Sequence, residues 1–249
     1  MSTRDYVIEI ATTDYESTKA AVAGGADRIE LCAALSEGGL TPSMGTIRQC
    51  RADFSVTIFP ILRPRSGDFL YSPAEFNIIK QDALFCKQVG CDGVVIGFLN
   101  SDGSVNKAWT SEIVAAVYPL EVTFHRAFDR CRDPFEALET IIEAGCQRIL
   151  TSGLQPTAPQ GADLIQQLVQ KAEGRIVIMP GSGVRAENIR QLATQTGAVE
   201  FHSSLKGTRQ SAMQYRQPAF ASSAESYSHA AVQPEAVVQL RNALKEAAS

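Results

Sequence analysis

Two histidines stand at the ends of strand-like runs in which polar and apolar residues alternate. In residues 122–126 the polar set reaches His125, and in residues 199–204 it includes His202. A strand covered on both faces reads as near-continuous apolar residues, so the polar face of each run must look into a cavity that tolerates charge. An imidazole suits proton transfer, oxyanion binding or metal ligation near neutral pH. A structural histidine bonded to a neighbouring carboxylate is the alternative for each.

Two glutamates, Glu9 and Glu30, interrupt apolar strands near the start of the chain. A buried carboxylate without a partner is costly unless its pKa rises until it is neutral. One interpretation is an interior ion pair with Arg28 or Arg63. The other is a general acid/base or a metal ligand, and a divalent cation such as Mg²⁺, Mn²⁺ or Zn²⁺ held by the glutamates and the histidines belongs to it.

A third group of residues points to anion binding. The candidates all follow a predicted strand: they are Arg63, Arg65, Ser152, Gly181, Ser182, Gly183, Ser203 and Ser204. The helix predicted from Ala186 would add its positive N-terminus to the turn at residues 181–183. A tight turn that needs glycine is the alternative for those residues. The two arginines could instead pair with acidic neighbours such as Asp68.

Composition excludes several classes of protein. The net charge is −4, the charged fraction is 20%, and lysine and arginine form no block, whereas nucleic-acid binding requires a basic face. No apolar run approaches the roughly 20 residues of a membrane span, and the first residues lack the apolar core of a signal peptide. The six cysteines include no C-x-x-C pair, which favours reduced thiols. The sequence therefore predicts a cytoplasmic protein.

The elements that must position these residues are eight short strands alternating with helices. The strands are predicted at residues 6–10, 28–31, 56–62, 93–96, 121–124, 148–151, 175–179 and 199–202, and the helices at 18–25, 45–51, 72–90, 110–118, 134–145, 162–173, 186–196 and 234–247. Such alternation implies a parallel sheet. An open doubly wound sheet would need a glycine-rich turn after the first strand, but Ala11-Thr12-Thr13 follows Ile10.

We therefore predict an α/β protein, a single-domain (β/α)₈ TIM barrel spanning residues 1–249. An irregular excursion at about 207–234 would precede the last helix, either packed over the barrel rim or partly mobile. Active sites of such barrels lie at the carboxyl ends of the strands, so the candidate residues are expected to share one rim. No lysine occupies a predicted strand, which argues against Schiff-base chemistry inside the barrel.

Several motifs resemble the CutC family over nearly the whole chain. They are residues 25–34 (GADRIELCAA), 37–43 (EGGLTPS), 60–69 (PILRPRSGDF), 123–129 (TFHRAFD), 150–153 (LTSG), 181–188 (GSGVRAEN) and 202–204 (HSS). The resemblance implies a cytoplasmic (β/α)₈ protein named for copper homeostasis that handles Cu(I). It makes Cys32 the candidate copper thiol, with Cys50 as a second. Residues 208–227 fit the family only loosely.

Two functions stay open at this stage. One is a Cu(I)-binding homeostasis protein, although Cu(I) prefers soft ligands and the spacing supplies no second soft partner for Cys32. The other is an enzyme that acts on a small anionic or phosphorylated metabolite, with Glu30, His125 and His202, and Glu9 beside them, in acid/base chemistry at the rim. The expected partner is the anion or Cu(I). A homodimer is left open, and neither nucleic acid nor a membrane is expected.

Overall fold

The computed structural model describes residues 6–220 and 227–245. Its eight barrel strands are β1 (Val7–Thr12), β2 (Arg28–Leu31), β3 (Thr57–Pro60), β4 (Gly93–Ile96), β5 (Glu121–Phe124), β6 (Arg148–Thr151), β7 (Val177–Pro180) and β8 (Glu200–Ser203). Every predicted strand forms, and each end differs from the predicted one by at most two residues. The strand signals are therefore strong enough to be read locally.

The helices lie where the periodicity predicts them: α1 (Tyr15–Ala23), α2 (Met44–Asp53), α3 (Pro73–Gln88), α4 (Lys107–Val117), α5 (Pro134–Glu143), α6 (Ala162–Ala172), α7 (Ala186–Thr196) and α8 (Pro234–Lys245). Ser72 and Glu75 form a capping box at α3. Helix α1 begins three residues before its predicted start because Asp14 caps it. The predicted last residues of α8, 246 and 247, lie outside the described residues. Within the described part of the chain, no helix is both long and apolar enough to cross a bilayer.

Backbone pairing arranges the parallel strands in the order β3-β2-β1-β8 and β4-β5-β6-β7. The two halves meet where the Leu62 N–H donates to the Val95 carbonyl at 2.8 Å, beside a parallel bridge between Ile61 and Val95. Strand β7 lies next to β8 on the other side, where the Ser203 hydroxyl donates to the Val184 carbonyl at 2.7 Å. The strands thus form a ring, and the predicted (β/α)₈ barrel is confirmed.

The alternation seen at the two histidines reflects the two faces of the barrel wall. Val122, Phe124 and Phe201 point outward into the core shared with the helices and are fully buried. Burying each such side chain contributes about 1.5–3 kcal/mol. The residues that alternate with these along each strand face the inside of the barrel. There an apolar layer around Phe59 and Val95 lies among charged groups. The helices hold the barrel from outside, and the polar interior is left for chemistry.

The excursion after β8 is more regular than predicted. Strand β9 (Gly207–Gln210) pairs antiparallel with β10 (Ser228–Ala231), and a short 3₁₀ helix spans Pro218–Phe220. The prediction of an irregular segment over residues 207–234 is therefore wrong for these stretches. Neither strand has an apolar alternation that would reveal it in the sequence. The pairing of the two strands depends on backbone hydrogen bonds between segments distant in sequence. Residues 221–226 of the excursion lie outside the described residues.

Candidate active site

A cavity of about 650 Å³ opens at the carboxyl ends of the barrel strands. Eight of the predicted site residues line it: Glu30, Arg63, His125, Ser182, Gly183, His202, Ser203 and Ser204. They come from strands β2 and β8 and from the segments that follow β3, β5, β7 and β8. Because the carboxyl ends of all barrel strands lie at one rim, residues far apart in the chain surround one space.

Below the cavity floor, Glu9 holds His202 in place. Strands β1 and β8 pair with Glu9 opposite His202, and Nδ1 of His202 lies 2.7 Å from Oε1 of Glu9. The other ring nitrogen, Nε2, lies 3.8 Å from Oε2 of Glu30. The three side chains form a buried carboxylate–imidazole–carboxylate chain, in which only Glu30 and His202 reach the cavity.

A buried network of charges supports this chain from below. Arg28 Nε lies 2.5 Å from Glu9 Oε2, and its Nη2 lies 2.6 Å from Glu200 Oε2. Arg148 Nε reaches the same Glu200 oxygen at 2.5 Å. Of the two interpretations that the sequence left open for Glu9, the ion pair with Arg28 is observed. Glu30 lies at the cavity end of the chain, where its nearest ionic partner is His202.

The two glutamates differ in protonation. Burial alone would raise the pKa of Glu9, but the Arg28 charge and the bond to His202 outweigh it and lower that pKa to about 2. Burial raises the pKa of Glu30 to about 7; the His202 charge opposes this and the Glu9 charge adds to it. Burial alone would lower the pKa of His202, but the charges of Glu30 and Glu9 outweigh the effect of burial and raise this pKa. Glu30 therefore titrates near neutral pH beside an imidazole whose charged form the two glutamates favour, which suits acid–base chemistry.

His125, which directly follows β5, lines the same cavity but has different surroundings. Burial, together with the Arg63 charge, lowers the pKa of its imidazole to about 3. The ring packs against Phe69, with 4.9 Å between centroids, and against Gly97, where a Cβ would lie 2.3 Å from His125 Cε1. His125 is therefore a neutral, firmly placed imidazole rather than a second titrating group.

The anion-binding candidates divide into two groups. Ser182, Gly183 and Ser204 line the cavity beside the first residues of α7, whose N–H groups have no partner within the helix. Ser182 and Gly183 both have a φ of +74°, so this turn has the left-handed geometry that glycine favours. Ser203 also lines the cavity, with its hydroxyl directed at the Val184 carbonyl.

Three of the predicted anion ligands do not line the cavity. Arg65 pairs with Glu75 at 2.5 Å and with Asp68 at 3.1 Å. The Ser152 hydroxyl is held between the Asp129 carboxylate at 3.0 Å and the Arg126 guanidinium at 2.7 Å. Gly181 provides space, since a Cβ there would lie 2.4 Å from Leu150 Cδ1. Sequence position placed these three residues near strand ends but could not show where they point.

The two candidate copper thiols lie in separate layers of the protein. Cys32 faces the apolar interior layer with Phe59, Ile61 and Val95, and its thiol donates to the Thr12 carbonyl at 3.3 Å. Cys50 lies outside the barrel wall, 3.9 Å from the Thr18 hydroxyl. Burial, with a contribution from the Glu30 charge, raises the pKa of the Cys32 thiol, whereas copper binding requires a thiolate. The surroundings of Cys32 therefore do not fit Cu(I).

Within residues 6–220 and 227–245, one set of three acidic or imidazole groups is close enough to share a metal ion. Glu9, Glu30 and His202 offer one ligand atom each, all within 4.8 Å of one another. Both oxygens of Glu9 are already bound, one by Arg28 and one by His202. A cation would also meet the positive charge of Arg28, so the donor set favours proton transfer over metal binding.

Sequence reasoning did not single out several residues that line the cavity: Phe69, Arg126, Lys206, Gln233 and Gln239. Arg126 directly follows His125, so its position could have marked it. The two glutamines come from α8 and the residue before it, and nothing in their spacing ties them to the rim. Glu200 supports Glu9 through Arg28. The only sign of this in the sequence was the alternation of polar residues in β8.

Fold and site together define a single class: a (β/α)₈ barrel with a buried glutamate–histidine pair and a glycine-containing turn at its carboxyl rim. The sequence profile of the CutC family matches residues 6–207. The chain belongs to the CutC family, as the motif resemblance predicted. The match ends where β9 begins, in keeping with the looser fit expected after Gly207.

The relatives agree with this assignment. A CutC family protein of Chromobacterium violaceum is 45% identical over 98% of each chain. A human copper homeostasis protein cutC homolog is 45% identical over 85% of this chain and 77% of its own. The crystal structure of a copper homeostasis protein CutC from Streptococcus agalactiae superposes with a TM-score of 0.76 at 29% identity, covering 80% of this chain and 98% of its own.

Proposed function

We propose that this CutC-family protein is an enzyme that acts by acid–base chemistry on a small anionic metabolite at the rim of the barrel. The observation that carries the proposal is the Glu30–His202 pair. Nε2 of His202 and Oε2 of Glu30 lie 3.8 Å apart, the pKa of Glu30 is raised to about 7, and both residues line a cavity of small-molecule size. A carboxyl group with a pKa near the working pH is well suited to accept and return a proton.

In the proposed reaction Glu30 transfers the proton and His202 adjusts its basicity. The positive charge of a protonated His202 stabilises the ionised form of Glu30, so Glu30 accepts and returns the proton while His202 keeps its own. Glu9 fixes which ring nitrogen of His202 faces the cavity, because it occupies Nδ1. Arg28 keeps Glu9 ionised, so Glu9 takes no part in the transfer.

The anionic part of the substrate would bind at the turn after β7 and at the start of α7. Exposed backbone donors and the helix N-terminus favour a phosphate or carboxylate there. Arg126, Arg185 and Lys206 line the same opening, with Glu187 as an opposing charge. This distribution leaves a net positive rim, which supports a small anion, phosphorylated or carboxylated, as the substrate class.

The proposal places the enzyme in the cytoplasm. All six cysteines are buried free thiols, and such thiols are typical of a reducing compartment. Cu(I) binding, which the names of the relatives suggest, stays a prediction for this chain. The apolar surroundings of Cys32 support the enzymatic alternative over it.

Deuterium exchange tests the proposed function directly. The protein is incubated in D₂O with a panel of phosphorylated and carboxylated metabolites, and incorporation of deuterium at carbon is followed by mass spectrometry. We expect exchange in at least one compound by the wild type and by Glu112→Gln, a control on the outer surface of α4. Exchange should be lost in Glu30→Gln. If the wild type exchanges nothing, or if Glu30→Gln exchanges as fast, acid–base catalysis by Glu30 is excluded.

A further inference from the structure

The tautomer of His125 is fixed by its own backbone. The N–H of Ala127 donates to Nδ1 of His125 at 3.1 Å, so Nδ1 is the acceptor and the ring proton must be on Nε2. The low pKa of the ring keeps this neutral form over the physiological range. His125 therefore offers one hydrogen-bond donor and cannot accept a proton at that nitrogen.

That donor has no protein partner. Within the described residues, three buried side-chain atoms lack a hydrogen bond: Nε2 of His125, Nε of Arg63 and the hydroxyl of Tyr71. The side chains of Arg63 and Tyr71 are neighbours, whereas His125 is 3% exposed and lines the cavity. A buried donor without an acceptor is destabilising, so the imidazole N–H beside the cavity requires an explanation.

Arg63 is held firmly by the loops around it. Its Nη1 donates to the carbonyls of Glu37 and Gly39, at 2.6 and 3.1 Å, and its Nη2 donates to that of Gly67 at 2.8 Å. The guanidinium also lies beside the hydroxyl of Tyr71. A firmly held positive charge of this kind stabilises a developing negative charge effectively.

His125 and Arg63 belong to one neighbourhood. The centroid of the Phe69 ring lies 4.9 Å from the centroid of the His125 ring and 5.0 Å from Cζ of Arg63. Both side chains line the cavity that also contains Glu30 and His202. A neutral imidazole and a guanidinium thus share one substrate-sized space with the acid–base pair.

We infer that the Nε2–H of His125 binds a carbonyl oxygen of the substrate beside the positive charge of Arg63, so that Glu30 removes a proton from the carbon next to that carbonyl. This deepens the proposed function and rests on it. The substrate class is an anionic carbonyl compound, with its phosphate or carboxylate at the start of α7. His125 is thereby an electrophile that polarises the carbonyl, rather than an acid or a base.

The step balances within the residues named. The carboxylate of Glu30 takes the proton, and the electron pair of the broken C–H bond forms a carbon–carbon double bond. The carbonyl π pair moves to oxygen, where the hydrogen bond from His125 and the charge of Arg63 stabilise the enolate. Return of a proton from Glu30 to the same carbon completes an exchange without any further reactant.

The test uses 2-phosphoglycolate, which joins a phosphate to a planar anion resembling an enolate, and inorganic phosphate alone as the comparison probe. Their affinities are measured by calorimetry for the wild type, His125→Leu, which has no donor, and His125→Gln, which restores an N–H near the Nε2 position. We expect His125→Leu to weaken 2-phosphoglycolate by about tenfold or more, His125→Gln to recover most of the loss, and phosphate to bind all three alike.

A second measurement does not depend on the folding of a variant. In the ¹⁵N-histidine-labelled wild type, the Nε2–H signal of His125 should persist across about pH 5–8 and shift with 2-phosphoglycolate but not with phosphate. An unmoved signal, or unchanged affinity in a folded His125→Leu, with phosphate still bound, overturns the oxyanion site and leaves the proposed function standing. If neither probe binds the wild type, the anion site of the proposed function fails, and the inference fails with it.

Discussion

Nδ1 of His202 lies 2.7 Å from Oε1 of Glu9, although 193 residues separate them in the chain. The contact exists because the last barrel strand pairs with the first, with these residues directly opposite. Arg28 occupies the next position around the ring, opposite Glu9 on the other side. Closure of the barrel therefore assembles the site, and the buried charges that the closure brings together stabilise one another.

Replacing Arg28 tests the supporting network. Arg28→Met leaves the carboxylates of Glu9 and Glu200 with fewer partners in a buried setting, and removing one partner of a buried ion pair costs about 3–5 kcal/mol. We expect a loss of this size in the free energy of unfolding, measured with urea. The control is Arg175→Met, which breaks an exposed pair with Glu139 and should cost at most about 1 kcal/mol. Equal losses in the two variants would show that the buried network stabilises the fold no more than an exposed ion pair does.

Glu30→Gln should lose activity and gain stability. The pKa of Glu30 is raised from 4.5 to about 7 in the folded protein. A raised acid contributes stability that is complete below pH 4.5 and is lost as the pH rises through about 7. The glutamine variant should therefore be more stable than the wild type at pH 8, by on the order of 2–3 kcal/mol. Urea unfolding at several pH values checks this, and a variant less stable than the wild type at high pH would contradict the strained carboxylate.

Gly97→Ala should displace His125. A Cβ at Gly97 would lie 2.3 Å from Cε1 of His125 and 2.8 Å from the Cβ of Ala127. Overpacking of this kind costs about 1–3 kcal/mol, and the ring would move from its bond to the Ala127 N–H. Thermal unfolding and the ¹⁵N signals of His125 report the two effects. The matched control is Gly45→Ala in α2, where the new Cβ meets only ordinary contacts; an equal loss there would rule out the steric explanation.

Copper titration tests the copper role that the family name implies. Because the Cys32 thiol is buried, protonated and surrounded by apolar side chains, we expect Cys32→Ser to bind Cu(I) with the stoichiometry and affinity of the wild type. Cys50→Ser serves as the comparison in the outer layer. Binding that disappears in Cys32→Ser alone would make Cys32 a copper ligand and would favour the homeostasis role over the enzyme.

The sequence by itself determined the number of barrel strands, the order of the helices and the class of fold. These signals are local: apolar runs mark strands, caps such as Ser72 mark helix starts, and a parity of polar residues marks the inner face at His125 and His202. The family motifs were also readable, since they are contiguous. The pairing of β9 with β10 was not, because neither strand carries an apolar pattern of its own.

Only the tertiary structure decided what each polar residue does. Glu9 and Glu30 look alike in sequence, yet Arg28 keeps one ionised while burial raises the pKa of the other. His125 and His202 occupy similar strand ends, yet a backbone N–H makes one a neutral donor at Nε2, and two carboxylates raise the pKa of the other. A pKa and a tautomer depend on charges and dipoles within a few ångströms, and in a barrel those neighbours come from strands that are distant in the chain.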